Sequence, residues 1–396
     1  MRVNKWTVGL AAAGLVSLPW ITQAEEKALS PVMSAVSSTT ISSYVDTSAH
    51  WNMGTGNANP APYIYNKGKA DGFNLNVVDL TIEKALSEET WGAGYRMDLW
   101  FGPNADVFGT TSELGGDSSD FAIKQAYVLL RAPIEKGLDF KLGVFNAIIG
   151  YESHDAVYDA NYTRSYAVSL EPHTHTGLLA TYHLLDWVDL NAGIANTVGP
   201  RINQKAWEGY RRAESSKTYM GSIDITAPDS WGFLAGSKIT AGAVTGFDTA
   251  SPIVENRDNY YVGAKLNTPV QHLTIGGSYD FVHHLAVGAT DNDSARAYAL
   301  YSSYQMEKWG LHLRGEYAEA FAQTSPLATS LTRADVLALT GTLSYDLWKN
   351  VLTRVELRWD HAADGVNGGK LFGGTTTGVP ERKNEYLLAA NVIYKF

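Results

Sequence analysis

YLLAANVIYKF (residues 386–396) is the stretch whose reading decides the fold. Tyr386, Leu388, Ala390, Val392, Tyr394 and Phe396 alternate with Leu387, Ala389, Asn391, Ile393 and Lys395, and Glu385 precedes them on the second face. Side chains of a strand alternate faces, so one face is wholly apolar and the other mixed. The segment stops on an aromatic. An exposed apolar edge strand invites aggregation in a soluble sheet. In a bilayer, every unpaired N–H or C=O costs several kcal/mol, so the strand must find a first strand and close a barrel. The expectation is an all-β protein: a transmembrane antiparallel up-and-down β-barrel.

The other segments repeat this pattern. In Trp91–Phe101, Trp91, Ala93, Tyr95, Met97, Leu99 and Phe101 oppose Gly92, Gly94, Arg96, Asp98 and Trp100. In Val351–His361, Val351, Thr353, Val355, Leu357 and Trp359 oppose Leu352, Arg354, Glu356, Arg358 and Asp360. Charges confined to one face mean that two solvents meet the two faces. Further segments fall at 40–51, 73–85, 121–132, 138–149, 174–185, 187–196, 218–227, 233–247, 259–266, 272–283, 295–306, 309–321 and 336–347, giving about sixteen strands. In 73–85 the apolar set changes faces between Val77 and Val78, which predicts a bulge or the membrane edge. The segment 295–306 alternates poorly.

The connections alternate strictly between long (52–72, 102–120, 150–173, 201–217, 248–258, 362–384) and short (86–90, 133–137, 186, 228–232, 267–271). Short periplasmic turns and long extracellular loops are the asymmetry of outer-membrane barrels. A sandwich would not sort its loops by length, and a propeller would show a blade-length repeat.

Composition agrees. The 396 residues carry a formal net charge of −10 and no Cys, which excludes disulfides, thiolate metal sites and Cys nucleophiles and disfavours nucleic acid as a partner. The mean hydropathy of −0.16 fits a wall apolar outside and polar inside. Arg2 and Lys5, the apolar run Trp6–Ile21 and the small residues to Ala24 form a signal peptide, residues 1–24. A periplasmic leader, 25–38, then precedes the barrel domain, 39–396.

Several stretches resemble the OmpL-like β-barrel porin-2 family of bacterial outer-membrane proteins: FNLNVVDLTIEKAL (73–86), WGAGYRMDLWFGPNA (91–105), FAIKQAYVLLRAP (121–133), GVFNAIIGYES (143–153), NYTRSYAVSLEPHTHTG (161–177) and TYMGSIDITAPDSWGFLAGS (218–237). The resemblance covers most of 73–396 and implies outer-membrane location and barrel architecture, with a porin role but no particular solute. Passive diffusion of small hydrophilic solutes is then the expected function. A solute-selective channel with a binding site, or a structural or adhesive surface barrel with a closed lumen, are the alternatives.

Strand parity turns Arg96, Asp98, Arg131, Lys141, Asp280, Arg314, Glu316, Arg354, Glu356, Arg358 and Asp360 inward, because the opposite orientation puts charge on lipid. They read either as a pore wall or as a ladder of ion pairs between neighbouring strands. The segment 150–173 is dense in Tyr and charge, with Tyr151, Glu152, His154, Asp155, Tyr158, Asp159, Tyr162, Arg164, Tyr166 and Glu171. It is expected to fold into the lumen as a constriction, as in the general porins this chain looks like, with Arg164 and the loop acids facing wall arginines; a lid over the mouth is the alternative. Trp91, Trp187, Trp309, Trp359 and Phe396 are placed in aromatic girdles at the membrane interfaces. Lumen-facing Trp100 could serve as a carbohydrate-stacking platform. His173 and His175 share a face without an identifiable third ligand, and there is no G-x-S-x-G motif. No metal, cofactor or catalysis is expected. The expected partners are outer-membrane lipid, small solutes, the barrel assembly machinery through Phe396 and, if it oligomerises, further copies of the chain.

Overall fold

The computed structural model describes residues 38–54, 56–61, 69–87, 91–108, 120–205, 216–247, 256–283, 294–322, 332–364 and 369–396. The expected signal peptide and all of the leader but Ser38 lie outside the described residues. Sixteen antiparallel strands close into one barrel, each paired with its sequence neighbour and the last with the first. They are β1 Thr40–Asn52, β2 Gly72–Lys84, β3 Gly92–Phe101, β4 Phe121–Ala132, β5 Leu138–Asn146, β6 Thr174–Leu185, β7 Val188–Ala195 and β8 Thr218–Thr226. The second half holds β9 Lys238–Phe247, β10 Asn256–Asn267, β11 Leu273–His283, β12 Ser294–Met306, β13 Trp309–Ala322, β14 Thr332–Trp348, β15 Val351–Asp364 and β16 Asn384–Lys395. One short helix, α1 (Pro103–Phe108), follows β3.

Closure rests on the C-terminal segment. Tyr44 pairs with Lys395, Thr47 with Val392 and Asn52 with Leu387. Ser43 and Phe396 exchange both backbone hydrogen bonds, at 2.8 and 2.9 Å. No edge is left for lipid to meet unpaired. Parity runs as the sequence implies: on β15, Val355 and Leu357 are about half exposed, while Arg354, Glu356, Arg358 and Asp360 are buried inward. Trp91, Trp309 and Phe396 stand exposed at one end, where the short connections lie, and Trp187 packs at 5.7 Å from Trp231 there.

Register shifts near strand ends occur in the β6–β7 and β14–β15 pairings, and two bulges beside the site break parity. Asp46 pairs with Val77 and Thr47 with Leu75, which leaves Asn76 as the extra residue and turns both Asn76 and Val77 inward. This is the face change seen between Val77 and Val78. The second bulge lies in β4. Asp98 pairs with Gln125 and Leu99 with Ile123, so Lys124 and Gln125 both point inward.

Two expected segments need correction. β5 ends at Asn146, not Ile149, because the chain turns into the lumen there. Phe233 belongs to a 3₁₀ segment, Asp229–Leu234, rather than to β9. The poor alternation of β12 has a simple cause: its inward residues Ala295, Ala297 and Ala299 are apolar but small, and all are buried.

Leu357 faces outward at mid-strand, paired with Gly341 and Leu388. Leu357→Arg is expected to destabilise the barrel in bilayer by about 2–4 kcal/mol, the cost of Arg at midplane. Urea unfolding in vesicles measures it; an unchanged midpoint would place that face away from lipid.

Candidate functional site

The connection between β5 and β6, residues 147–173, lies inside the barrel. Its neck closes where the Ala147 N–H donates to the His173 carbonyl at 2.9 Å. Within it are only two short 3₁₀ turns, Ala156–Tyr158 and Ala167–Ser169. Most of its peptide groups therefore lack partners along their own chain, and buried peptide groups require them. The wall supplies them.

Wall arginines serve the loop carbonyls. Arg354 donates to the carbonyls of Ala156 (2.9 Å), Asp159 (2.7 Å) and Asn161 (3.1 Å). Arg314 donates to Thr163 O and Arg358 to Arg164 O, each at 2.6 Å. Wall carboxylates serve the loop amides. Glu356 accepts from the N–H of Tyr162 (2.6 Å) and Thr163 (2.9 Å), and Glu316 from that of Tyr166 (2.7 Å). Arg314, Thr340 and Arg358 form one register row across β13, β14 and β15, so the two guanidiniums flank the Thr163 hydroxyl at 3.0 and 3.3 Å. Within the wall, Arg314 pairs with Glu316 (2.6 Å) and Arg358 with Asp360 (2.9 Å). Every one of these charges is buried.

Loop side chains reach other strands. Glu152 takes Arg314 and the Tyr301 hydroxyl, both at 3.0 Å, and Tyr151 stacks on Tyr301 at 4.0 Å. Asp155 is bound by Lys124 of β4 and by the Tyr44 hydroxyl of β1 at 3.0 Å. Tyr162 donates to Ser48 (2.7 Å) and Tyr166 to Asp360 (2.9 Å). Apolar packing completes the seat. Ile148, Ile149 and Tyr151 meet Phe145, Leu179, Met220, Val244 and Tyr261. Ala156 and Val157 meet Tyr44, Val77, Trp100 and Ile393. Tyr166 meets Ala61, Val336, Ala338 and Phe372.

The eleven wall residues divide into two groups by their contacts. Asp280, Arg314, Glu316, Arg354, Glu356, Arg358 and Asp360 converge on the loop. Arg96 pairs with Glu83 (2.8 Å) and Asp98 (2.9 Å), Arg131 with its cross-strand partner Asp139 (2.6 Å), and Lys141 lies over the Tyr127 ring. These last are ties within the wall.

Arg164 finds its ion pair within the loop. It is fully buried and pairs with Asp159 of its own loop at 3.2 Å, donating also to the carbonyls of Tyr162 and His154. The wall Arg314 in turn meets the loop acid Glu152 at 3.0 Å. Burial still pushes the Asp159 carboxyl up to about 7, against the pull of Arg164. Trp100 is no stacking platform: it is fully buried, donates Nε1–H to Asp79 at 3.0 Å and carries Lys124 over its ring. His173 bonds His154 at 2.7 Å, and burial lowers both imidazoles, His173 to about 4. His175 instead lies 3.3 Å from the Thr197 carbonyl. Lys124 was missed because its bulge inverts the parity counted from Arg131. Thr163, Tyr44 and Tyr301 carry no sequence signal of their contact.

An outer-membrane porin-type barrel with an inward-folded third long connection is the class these features define. The chain matches the model of the family described as "Putative beta-barrel porin-2, OmpL-like" over residues 38–396 and belongs to that family, which places it in the cell outer membrane. Among solved structures it is similar in fold to the anion-selective porin from Comamonas acidovorans (12% identity, 91% of this chain and 99% of that one, TM-score 0.59). The outer-membrane channel DcaP of Acinetobacter baumannii is similar too (12%, 90% and 97%, TM-score 0.58). So is the in-vitro folded OmpT of Vibrio cholerae in its trimer form (13%, 90% and 99%, TM-score 0.53). No curated protein matches the chain.

Replacing Arg314 with Met strips the buried Glu152 and Glu316 of their shared cation, a loss of about 3–5 kcal/mol for a broken buried pair. Hydrogen exchange at the Thr163 and Tyr166 amides is expected to accelerate on the order of a hundredfold or more, since each 1.4 kcal/mol is tenfold. Unchanged protection would mean that the ladder does not hold the loop.

Proposed function

We propose that the barrel is a channel for passive diffusion of small hydrophilic solutes across the outer membrane, narrowed by the loop 150–173. One observation carries this reading: the loop is fastened inside the lumen by wall charges, and water-accessible space remains beside it. A cavity of about 360 Å³ opens between the loop and β1–β3, lined by Ser42, Thr81, Asp79, Arg96, Asp155 and Tyr158. A second of about 90 Å³ lies on the β10–β12 side and shares Tyr158, which is three-quarters exposed. Such a barrel replaces hydrocarbon by water and polar groups along the solute's path, so no cofactor, energy source or catalytic step is needed. The acidic balance of the chain favours a weak cation preference. The signal peptide 1–24 exports the chain, Phe396 presents the closing strand to the assembly machinery, and the barrel associates with further copies of itself.

A solute-selective channel is the second reading. It is favoured by the complete burial of Arg164, Arg314 and Arg358, which leaves little water at that level of the lumen.

Single-channel recording of the purified protein in a planar bilayer tests both readings. Diffusion predicts steady conductance that rises when Arg358→Ala loosens the loop. Saturable block by one solute would shift the assignment to the selective channel. Electrical silence in wild type and variant alike would contradict both and leave a closed surface barrel.

A further inference from the structure

Where the loop returns to β6, Glu171 meets Asp280 of β11. The two residues are only 5% and 3% exposed. Neither has a Lys, Arg or His ion-pair partner among the described residues. Glu171 Oε1 and Asp280 Oδ2 accept no hydrogen bond. A third acceptor lies alongside. Asn259 of β10, 3% exposed, donates Nδ2–H to the Leu170 carbonyl at 2.6 Å, next to Glu171, while its Oδ1 is also without a donor. Arg257, on the same strand, donates to the same Leu170 carbonyl at 3.0 Å. The Glu171 carboxyl is seated on bare backbone: Gly150 has φ +125°, and a Cβ there would come within 2.5 Å of Glu171 Oε2. Glu152 adds a further negative charge nearby.

Two buried carboxylates in contact repel each other strongly. A shared proton would relieve one charge and one oxygen, leaving the remaining acceptors unsatisfied at roughly 1–3 kcal/mol each. A hard divalent cation removes both charges and takes all three lone-pair groups at once.

We propose that Glu171, Asp280 and the Asn259 side-chain oxygen hold one divalent cation, calcium in the simplest case, between the returning loop and the β10–β11 wall. The donor set is all oxygen, as calcium prefers, and its remaining six-to-eight-fold coordination comes from backbone oxygen or water. With two carboxylates, the affinity expected is in the range of about 10⁻⁴–10⁻³ M. The cation would pin the far end of the loop, as the arginine ladder pins its middle.

The test is terbium luminescence on the folded protein in detergent, sensitised by Tyr151 and Tyr261, which lie beside Glu171. One saturable site per chain, displaced by calcium, is expected. Glu171→Gln and Asp280→Asn should each weaken it at least about tenfold, while Glu83→Gln, paired with Arg96 near the short turns, should not. Terbium signals equal in wild type and in both variants, or unmoved by calcium, would overturn the site. Should either variant fail to fold, the wild type alone decides, since the absence of a calcium-displaced site is sufficient against the proposal. The readout involves no conductance, so a negative result leaves the pore reading standing.

Discussion

A stretch of chain without regular structure, held inside a membrane barrel, must have its peptide groups satisfied by something other than itself. Water can serve some of them, but not those pressed against a wall. Here the wall answers with charge. Arg314, Arg354 and Arg358 supply donors to five loop carbonyls, and Glu316 and Glu356 supply acceptors to three loop amides. The order of signs along β15 (Arg354, Glu356, Arg358, Asp360) places each donor and acceptor on one face, two residues apart, as the strand pleat dictates. Each ion is expensive to bury alone, and the net worth of such pairs is small when they merely face each other. Their value lies in fixing the path of residues that have no helix or sheet to follow.

That arrangement explains why the inner face of this barrel is not uniformly polar. Val77, Leu179, Met220, Val244 and Ile393 point inward and are buried. In an open pore such residues would face water. Here they pack against Ile148, Ile149, Ala156 and Val157 or against one another, so the loop behaves as a small core within the lumen. The mixed inner face of β16, with Leu387, Ala389 and Ile393 between Glu385, Asn391 and Lys395, is the same feature at the closing strand.

Much of the fold was legible in the sequence, because hydrocarbon imposes an outward apolar row on every strand. Parity placed Arg96, Asp98, Arg314 and the β15 charges on the inner face. It failed where the backbone changes step. The bulge at Asn76 left a visible trace in the shift between Val77 and Val78, whereas the one at Lys124 left only an odd spacing from Arg131, which an unbroken strand would turn toward lipid. The inward alanines of β12 hid their face for lack of size. The inward course of residues 150–173 could be anticipated from their tyrosines and charges. Their pairing could not: Arg164 was as well suited to a wall carboxylate as to Asp159, and only the three-dimensional path makes the latter its neighbour.

Location within the barrel is therefore the claim on which the account stands, and a covalent trap addresses it directly. The chain has no cysteine of its own. The Asn161 side chain donates to the Thr342 hydroxyl of β14 at 2.7 Å. With Asn161→Cys and Thr342→Cys introduced together, the folded protein is predicted to form an intramolecular disulfide under mild oxidation, seen as loss of both free thiols. Two thiols that stay reduced, and that react with a membrane-impermeant maleimide from outside the cell, would show the loop lying over the mouth instead and would contradict the account.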